Sequence, residues 1–224
     1  MAENKLPKWR QYRPIEAGEF IVVFGDCSQG GEDSNMSQFM SQTNMDFPLI
    51  YQSRGVAMTM TQDIFPVLEK IYDITGVRPV VALERNNGGA SEMQRLHDLN
   101  VKNKYRIFIM PTWGTVMAED TNKMGWDTNL STRPKMLGEW KNAFEKRVFK
   151  IYDEETLNQH KCFIIKNGKA QASAHHHDDA VMSIAGAYQL FQICKPESST
   201  IGGGGIYAKP AWADQLPSWV IEKR

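Results

Sequence analysis

Residues 20–54 read FIVVFGDCSQGGEDSNMSQFMSQTNMDFPLIYQSR, and the fold is decided in this stretch. The apolar run Phe20-Ile21-Val22-Val23-Phe24-Gly25 is strand-forming and ends abruptly on the carboxylate Asp26. Cys27 to Asn35 has turn chemistry, with Gly30-Gly31 and Asp33-Ser34. From Met36 to Thr43 small or polar and apolar residues alternate as on a second strand, and Pro48 to Arg54 forms a third. Three strands joined by short loops predict an antiparallel meander.

Downstream, Ile64, Val67, Leu68, Ile71 and Ile74 repeat at helical spacing over Thr61–Thr75, and Gly76 supplies the stop. Pro79-Val80-Val81-Ala82-Leu83 is short, continuous and β-rich, as a buried parallel strand is, and it ends on Glu84. Gly88-Gly89 opens a helix carrying Met93, Leu96 and Leu99, and Arg106–Met110 is another short strand stopped by Pro111. Meander, helix, strand, helix, strand and then helices is the order of a ribonuclease H-like α/β fold. The expected architecture is a mixed sheet, an antiparallel meander plus parallel strands, flanked by helices.

The remainder is a sequence of loops and helices. Thr112–Ser131, rich in Gly, Asn, Asp and Trp, is expected to form an ordered loop over the site, with Trp113 and Trp126 in core or anchoring roles. Thr132 is the expected N-cap of a long helix with Pro134 in its first turn and a stripe of Met136, Leu137, Trp140, Phe144 and Val148. Cys162–Ile165 and Gln171–Ser173 flank Asn167-Gly168, a type I′ hairpin signal. A last helix is expected from about His177 to Ile193, burying Val181, Ile184, Ala185, Tyr188 and Phe191. The expected organisation is an N-terminal linker or arm over 1–14, a ribonuclease H-like domain over 15–195 and a flexible Gly-rich tail over 196–224 that holds Trp212 and Trp219.

Composition narrows the class. With 224 residues, 42% hydrophobic and 23% charged, the chain can bury one domain core, and no apolar run approaches the roughly 18 residues of a membrane span. Met1–Arg13 has no apolar secretory core. Three cysteines without C-x-x-C spacing disfavour zinc-ribbon and disulfide scaffolds and fit a reducing cytoplasm. Net charge is zero but unevenly spread: residues 1–94 carry 8 Lys and Arg against 12 Asp and Glu, and residues 95–170 carry 14 against 9. A basic middle beside an acidic pocket suits a polyanion held around a metal; the competing reading is a solvated helical surface. G-x-x-x-x-G-K-[ST], G-x-S-x-G and H-E-x-x-H are all absent.

The chemistry rests on acidic positions at element ends. Asp26 and Glu84 close strands, and Asp178-Asp179 open a helix after His175-His176-His177. Carboxylates at such ends can converge in one crevice of an α/β sheet, where hard oxygen ligands favour Mg²⁺ or Mn²⁺ over zinc. Two such ions can clamp both oxygens of a phosphoryl transfer. Each residue also has a plainer reading. Asp26 could be an Asx-turn carboxylate. Glu84 could pair with Arg85, although neighbours on a strand point to opposite faces. Asp178 could be a simple N-cap. Asp178 and Asp179 lie about 100° apart on the helix, so one is expected as the main ligand, and Asp179, two residues before Val181, is preferred. Asp33 and His177 are supporting candidates; Arg133, Lys123 and Lys135 are candidates for DNA-backbone contacts.

In order, FGDCSQGGEDSN, VVALERNNGG, GWDTNLSTRPKML and AHHHDDAVMSIAGA resemble the C-terminal nuclease domain of tailed-phage large terminases, the DNA-packaging motors, over roughly residues 15–195. The resemblance implies a ribonuclease H/RuvC-like fold and an endonuclease that uses two Mg²⁺ or Mn²⁺ ions to cut concatemeric viral DNA in the host cytoplasm. It carries the strand-one aspartate to Asp26, the second acidic position to Glu84, the acidic pair to Asp178 and Asp179, and the family's Thr-Arg-Pro segment to Thr132-Arg133-Pro134. It implies double-stranded DNA, a terminase ATPase domain, the small terminase subunit and the portal as partners, with no membrane. Large terminases carry an N-terminal packaging ATPase that this chain lacks, so a separately expressed nuclease domain is expected; the His triplet is also longer than the family's usual single His. Alternatives are a Holliday-junction resolvase, a ribonuclease H-type nuclease, or a catalytically quiet DNA-docking module of the motor.

Overall fold

The structure, a computed structural model, describes residues 8–102, 106–109, 123–166 and 168–195. The sequence readings at residues 110–122 (including Trp113), at Asn167 and over the tail from residue 196, with Trp212 and Trp219, lie outside the described residues. Six strands form one mixed sheet: β1 (Trp9–Gln11), β2 (Ile21–Asp26), β3 (Gln29–Ser41), β4 (Asp46–Val56), β5 (Val80–Leu83) and β6 (Phe108–Ile109). Their order across the sheet is β1-β4-β3-β2-β5-β6. The meander β2-β3-β4 is antiparallel, and β5 and β6 continue it in parallel beyond β2. This is the ribonuclease H-like arrangement expected from the order of elements.

Alternation along the central strands divides the core into two. Phe20, Val22, Phe24, Val80 and Ala82 face one side, where α5 (Asp179–Ile193) and α3 (Thr132–Glu145) cover them. Ile21, Val23, Val81 and Leu83 face the other, beneath α1 (Ala57–Thr75) and α2 (Gly89–Lys102). A strand buried on both faces reads as a continuous apolar run, which is what the sequence has at 20–24 and 79–83. Carrying the same period one step further puts Asp26 and Glu84 on the α5 side. The parallel register aligns Gly25 with Leu83, and the Glu84 N–H donates to Gly25 O at 2.8 Å, so the two carboxylates stand level.

The structure corrects several expected boundaries. The stretch Cys27–Asn35 is not a turn: only Cys27 and Ser28 link β2 to β3, and Gly30, at φ +96°, lies in a register break between Gln29 and Ser34. Ser131, not Thr132, holds the N-cap position of α3; Asn129 Oδ1 accepts from the Ser131 and Thr132 N–H groups, while Thr132 Oγ1 donates to Asp127 O. That helix stops at Glu145, short of Val148. The last helix begins at Asp179 with Asp178 at its N-cap, so His177 precedes it. Residues 9–11 of the expected arm form an edge strand on β4. A helix with no counterpart in the sequence reading, α4 (Glu154–Lys161), packs on α5, and β7 (Phe163–Lys166) with β8 (Lys169–Ala172) forms the expected hairpin as a separate two-stranded sheet. Among the described residues no helix is long and apolar enough to cross a membrane.

Candidate active site

The ends of β2 and β5 open into a cleft of about 520 Å³ lined by Asp26, Asp33, Glu84, Asp178, Asp179 and Arg133, with Asn86, Asn87, Ser28 and Thr128 between them. All four principal acidic candidates therefore share one cavity. Two steric features set their places. Glycine at 89 lets the chain turn directly after β5, since a Cβ there would lie 1.7 Å from Glu84 O. Glycine at 186 lets α5 settle on β2, since its Cβ would lie 2.3 Å from the ring of Phe24. Seven residues before Gly186, about two helical turns, the same helix delivers Asp179 above the end of β2.

The carboxylates are held in different ways. Asp26 is pushed well above the usual carboxylate range, first by burial, then by the neighbouring Glu84 and by the charges of Asp179 and Asp178. Asn86 Nδ2 donates to Glu84 Oε1 at 3.0 Å. Asp179, 8% exposed, accepts from the Ser34 N–H at 3.0 Å. Burial raises Asp179 to about 6; the charges of Asp33 and Asp178 add to the shift, while the Ser34 N–H and His177 oppose it. Asp178 pairs with Arg133 Nη2 at 2.9 Å, and the same nitrogen donates to Ala170 O at 3.4 Å. The open alternative for Glu84 is resolved: Arg85 instead pairs with Asp127 at 2.8 Å and donates to Met124 O.

The outer candidates are less involved. Asp33 is largely exposed and meets His177 Nδ1 at 3.4 Å. His175 takes a left-handed φ of 64° as the chain turns toward α5. Lys123 and Lys135 are exposed and lie outside the cleft lining, which leaves Arg133 as the one basic candidate within it. Asn86, Asn87 and Thr128 were missed by the sequence reading. Asn87, at φ 53°, marks the sharp turn that the Asn-Asn-Gly-Gly run encodes, and turn chemistry directly after an acidic strand end was the available signal.

Among the described residues no three His, Cys, Asp or Glu side chains gather around one point as a bound ion requires. The donor set nonetheless fits a hard divalent cation. It consists of carboxylate oxygens, and the neighbouring thiol of Cys27 is pushed far up by burial and by Asp26, Glu84 and Glu92, so it does not compete as a thiolate. Five acidic groups around one partly buried cavity, with Arg133 as the nearby cation, call for a further cation or for a protonated carboxyl.

No family model matches the chain, and no curated protein sequence matches it. Its fold does have counterparts among solved structures. The large terminase nuclease from thermophilic phage G20c, with bound magnesium, aligns over 83% of this chain and 89% of its own, at 14% identity and a TM-score of 0.55. The large terminase nuclease domain of Thermus phage P74-26 aligns over 84% and 87%, at 13% identity and a TM-score of 0.52. The Mn-soaked human cytomegalovirus terminase nuclease domain aligns over 77% and 83%, at 12% identity and a TM-score of 0.50. At these identities the likeness is one of fold, and it bears out the ribonuclease H-like mixed sheet.

Proposed function

We propose that this chain is a divalent-metal-dependent endonuclease that cuts double-stranded viral DNA during genome packaging in the host cytoplasm. Its partners would be a terminase ATPase, a small terminase subunit and a portal. The observation that carries the reading is the level pair Asp26 and Glu84 at the ends of parallel neighbours, with Asp178 and Asp179 at the start of α5 lining the same cleft. The comparisons support it: the solved structures that match in fold include terminase nucleases with bound magnesium, cobalt or zinc and one soaked with manganese.

Asp26, Glu84 and Asp179, with Asp178 beside them, are the residues that would hold Mg²⁺ or Mn²⁺. Two such ions, held there, would supply an activated water and charge stabilisation for the leaving 3′ oxygen. Asn86 orients the Glu84 carboxylate through its 3.0 Å hydrogen bond. Arg133 fixes Asp178 and lines the cleft, where its remaining N–H groups would be available to a backbone phosphate. Lys123 and Lys135 would meet phosphates farther along the duplex. With a net charge of zero, DNA binding should be weak and salt-sensitive.

The test is cleavage of supercoiled plasmid in Mn²⁺, Mg²⁺ or EDTA by wild type and Asp26→Asn. Nicking and linearisation should require the ion and fall to background in the variant. Equal activity of the two proteins would sink the assignment. Preference for a four-way junction or an RNA–DNA hybrid over plasmid would move it to another activity of the same fold.

A further inference from the structure

An aspartate at a helix N-cap normally turns its carboxylate back onto the N–H of the second or third helical residue. Asp178 holds the N-cap position of α5 and makes no such bond. Its backbone, at φ −122° and ψ 10°, is not in the extended conformation that self-capping uses. The N–H it would satisfy, that of Ala180, is fully buried and donates to Gln159 Oε1 of α4 at 2.8 Å. Gln159 is itself 5% exposed and is fixed from its other end, its Nε2 donating to Glu155 Oε1 at 2.9 Å. The amide of a neighbouring helix thus does the capping, and the two acidic side chains are free for other partners. Asp178 reaches Arg133, and Asp179 reaches the Ser34 N–H; both line the cleft.

We infer that Gln159 is a positioning residue for the candidate active site: by capping α5 from α4, it keeps the Asp178 and Asp179 carboxylates directed into the cleft. This rests on the reading of those carboxylates as ion-holding groups. Without the Gln159 acceptor, the Ala180 N–H is orphaned in the core, and the usual acceptor at this position is the N-cap side chain itself, here the carboxylate of Asp178, which then leaves Arg133 and the cleft. Gln159 lies outside the cleft lining and acts only through α5.

The experiment is Mn²⁺ binding, followed by calorimetry and by loss of the free-ion electron paramagnetic resonance signal, with urea unfolding run on the same samples. Wild type, Asp26→Asn, Gln159→Met and the exchange Glu155→Gln/Gln159→Glu are compared. Methionine preserves length and packing but offers no comparable acceptor, so Mn²⁺ affinity should fall about tenfold, as is usual when a ligand's outer partner is lost. The exchange restores a carboxylate acceptor for Ala180 and an amide donor beside it, and affinity should return to within about twofold of wild type. If Gln159→Met does not fold, Gln159→Asn, whose amide falls short by one methylene, carries the same expectation. A purely structural role predicts reduced stability with unchanged affinity in the folded fraction. If Asp26→Asn loses Mn²⁺ while Gln159→Met binds it like wild type, the positioning role is wrong and the site stands. If wild type binds no Mn²⁺, or Asp26→Asn binds it equally well, the site reading fails and this inference fails with it.

Discussion

Asp179 is the residue at which burial and charge can be separated by experiment. Its carboxyl is raised from 3.8 to about 6, so between those values the folded protein holds a proton that the unfolded chain has released. The stabilising contribution is complete below pH 3.8 and is lost as pH rises through about 6. Asp179→Asn removes this titration and keeps an acceptor for the Ser34 N–H. In EDTA the variant should therefore gain on wild type by on the order of 3 kcal/mol between pH 4 and pH 7. Urea unfolding of both proteins across that range measures it, and a difference that stays flat with pH would refute the assignment of strain to this carboxyl. The position was legible in the sequence because a second carboxylate opening the helix, directly after three histidines, is more than an N-cap requires. Asp26 and Glu84 were legible because each ends an apolar run on a charge, and their facing direction follows from the strand period. What was hidden was the partner of each group. That Arg85 turns to Asp127 and Arg133 to Asp178 depends on contacts across 42 and 45 residues, which no local pattern encodes.

At the scale of elements, α5 shows why a correctly read helix can bury more than the face read for it. Between Asp179 and Ile193 it carries no further charge and is buried nearly all round, because the sheet lies under it and α3 and α4 cover it. A helix that is apolar on all sides has no single stripe to find. α4 was missed for the opposite reason: its buried residues, Thr156 and Gln159, are polar, so hydrophobic periodicity gives no signal. Its end chemistry was readable, since Asp153 caps the Thr156 N–H, Glu154 and Glu155 follow in the first turn, and His160 and Lys161 occupy the last. The contact that seats α5 can be tested through Gly186→Ala. Helix propensity alone would favour alanine by roughly 1 kcal/mol. Against this, a Cβ at 2.3–2.5 Å from three atoms of a fully buried ring overpacks the core, typically a cost of about 1–3 kcal/mol. Overpacking should win because Phe24 has no free volume to withdraw into. A net loss of about 1–2 kcal/mol is expected in urea, together with weaker Mn²⁺ binding as the start of α5 lifts; a stabilised variant would show that the helix does not rest on Phe24.

Across the whole molecule, element order decided the fold, whereas the ties that close it were out of reach of the sequence. Arg10 on β1 holds Asp153 with two hydrogen bonds, at 2.5 and 3.1 Å, and Tyr12 donates to the same carboxylate at 2.5 Å. Arg13 bridges Glu19 and Asp46, and Tyr152 donates to Asp46 at 3.0 Å. These contacts join residues 10–19 to residues 152–153 through β4, so the beginning of the described chain is fastened to the cap of α4, and α4 in turn holds α5. Arg10 and Asp153 are 9% and 1% exposed, and removing one member of a buried pair leaves an uncompensated charge. Arg10→Met should cost about 3 kcal/mol, and Asp153→Asn a similar amount, since it also weakens the Thr156 cap. Because both substitutions break the same bonds, the double variant should lose clearly less than the sum of the singles; strict additivity in urea unfolding would mean that the pair is not coupled. The clasp lies outside the cleft lining and carries no group that approaches the acidic cluster. Plasmid cleavage by Arg10→Met, measured well below its melting temperature, should therefore remain within about twofold of wild type, because its share in the site is confined to stability.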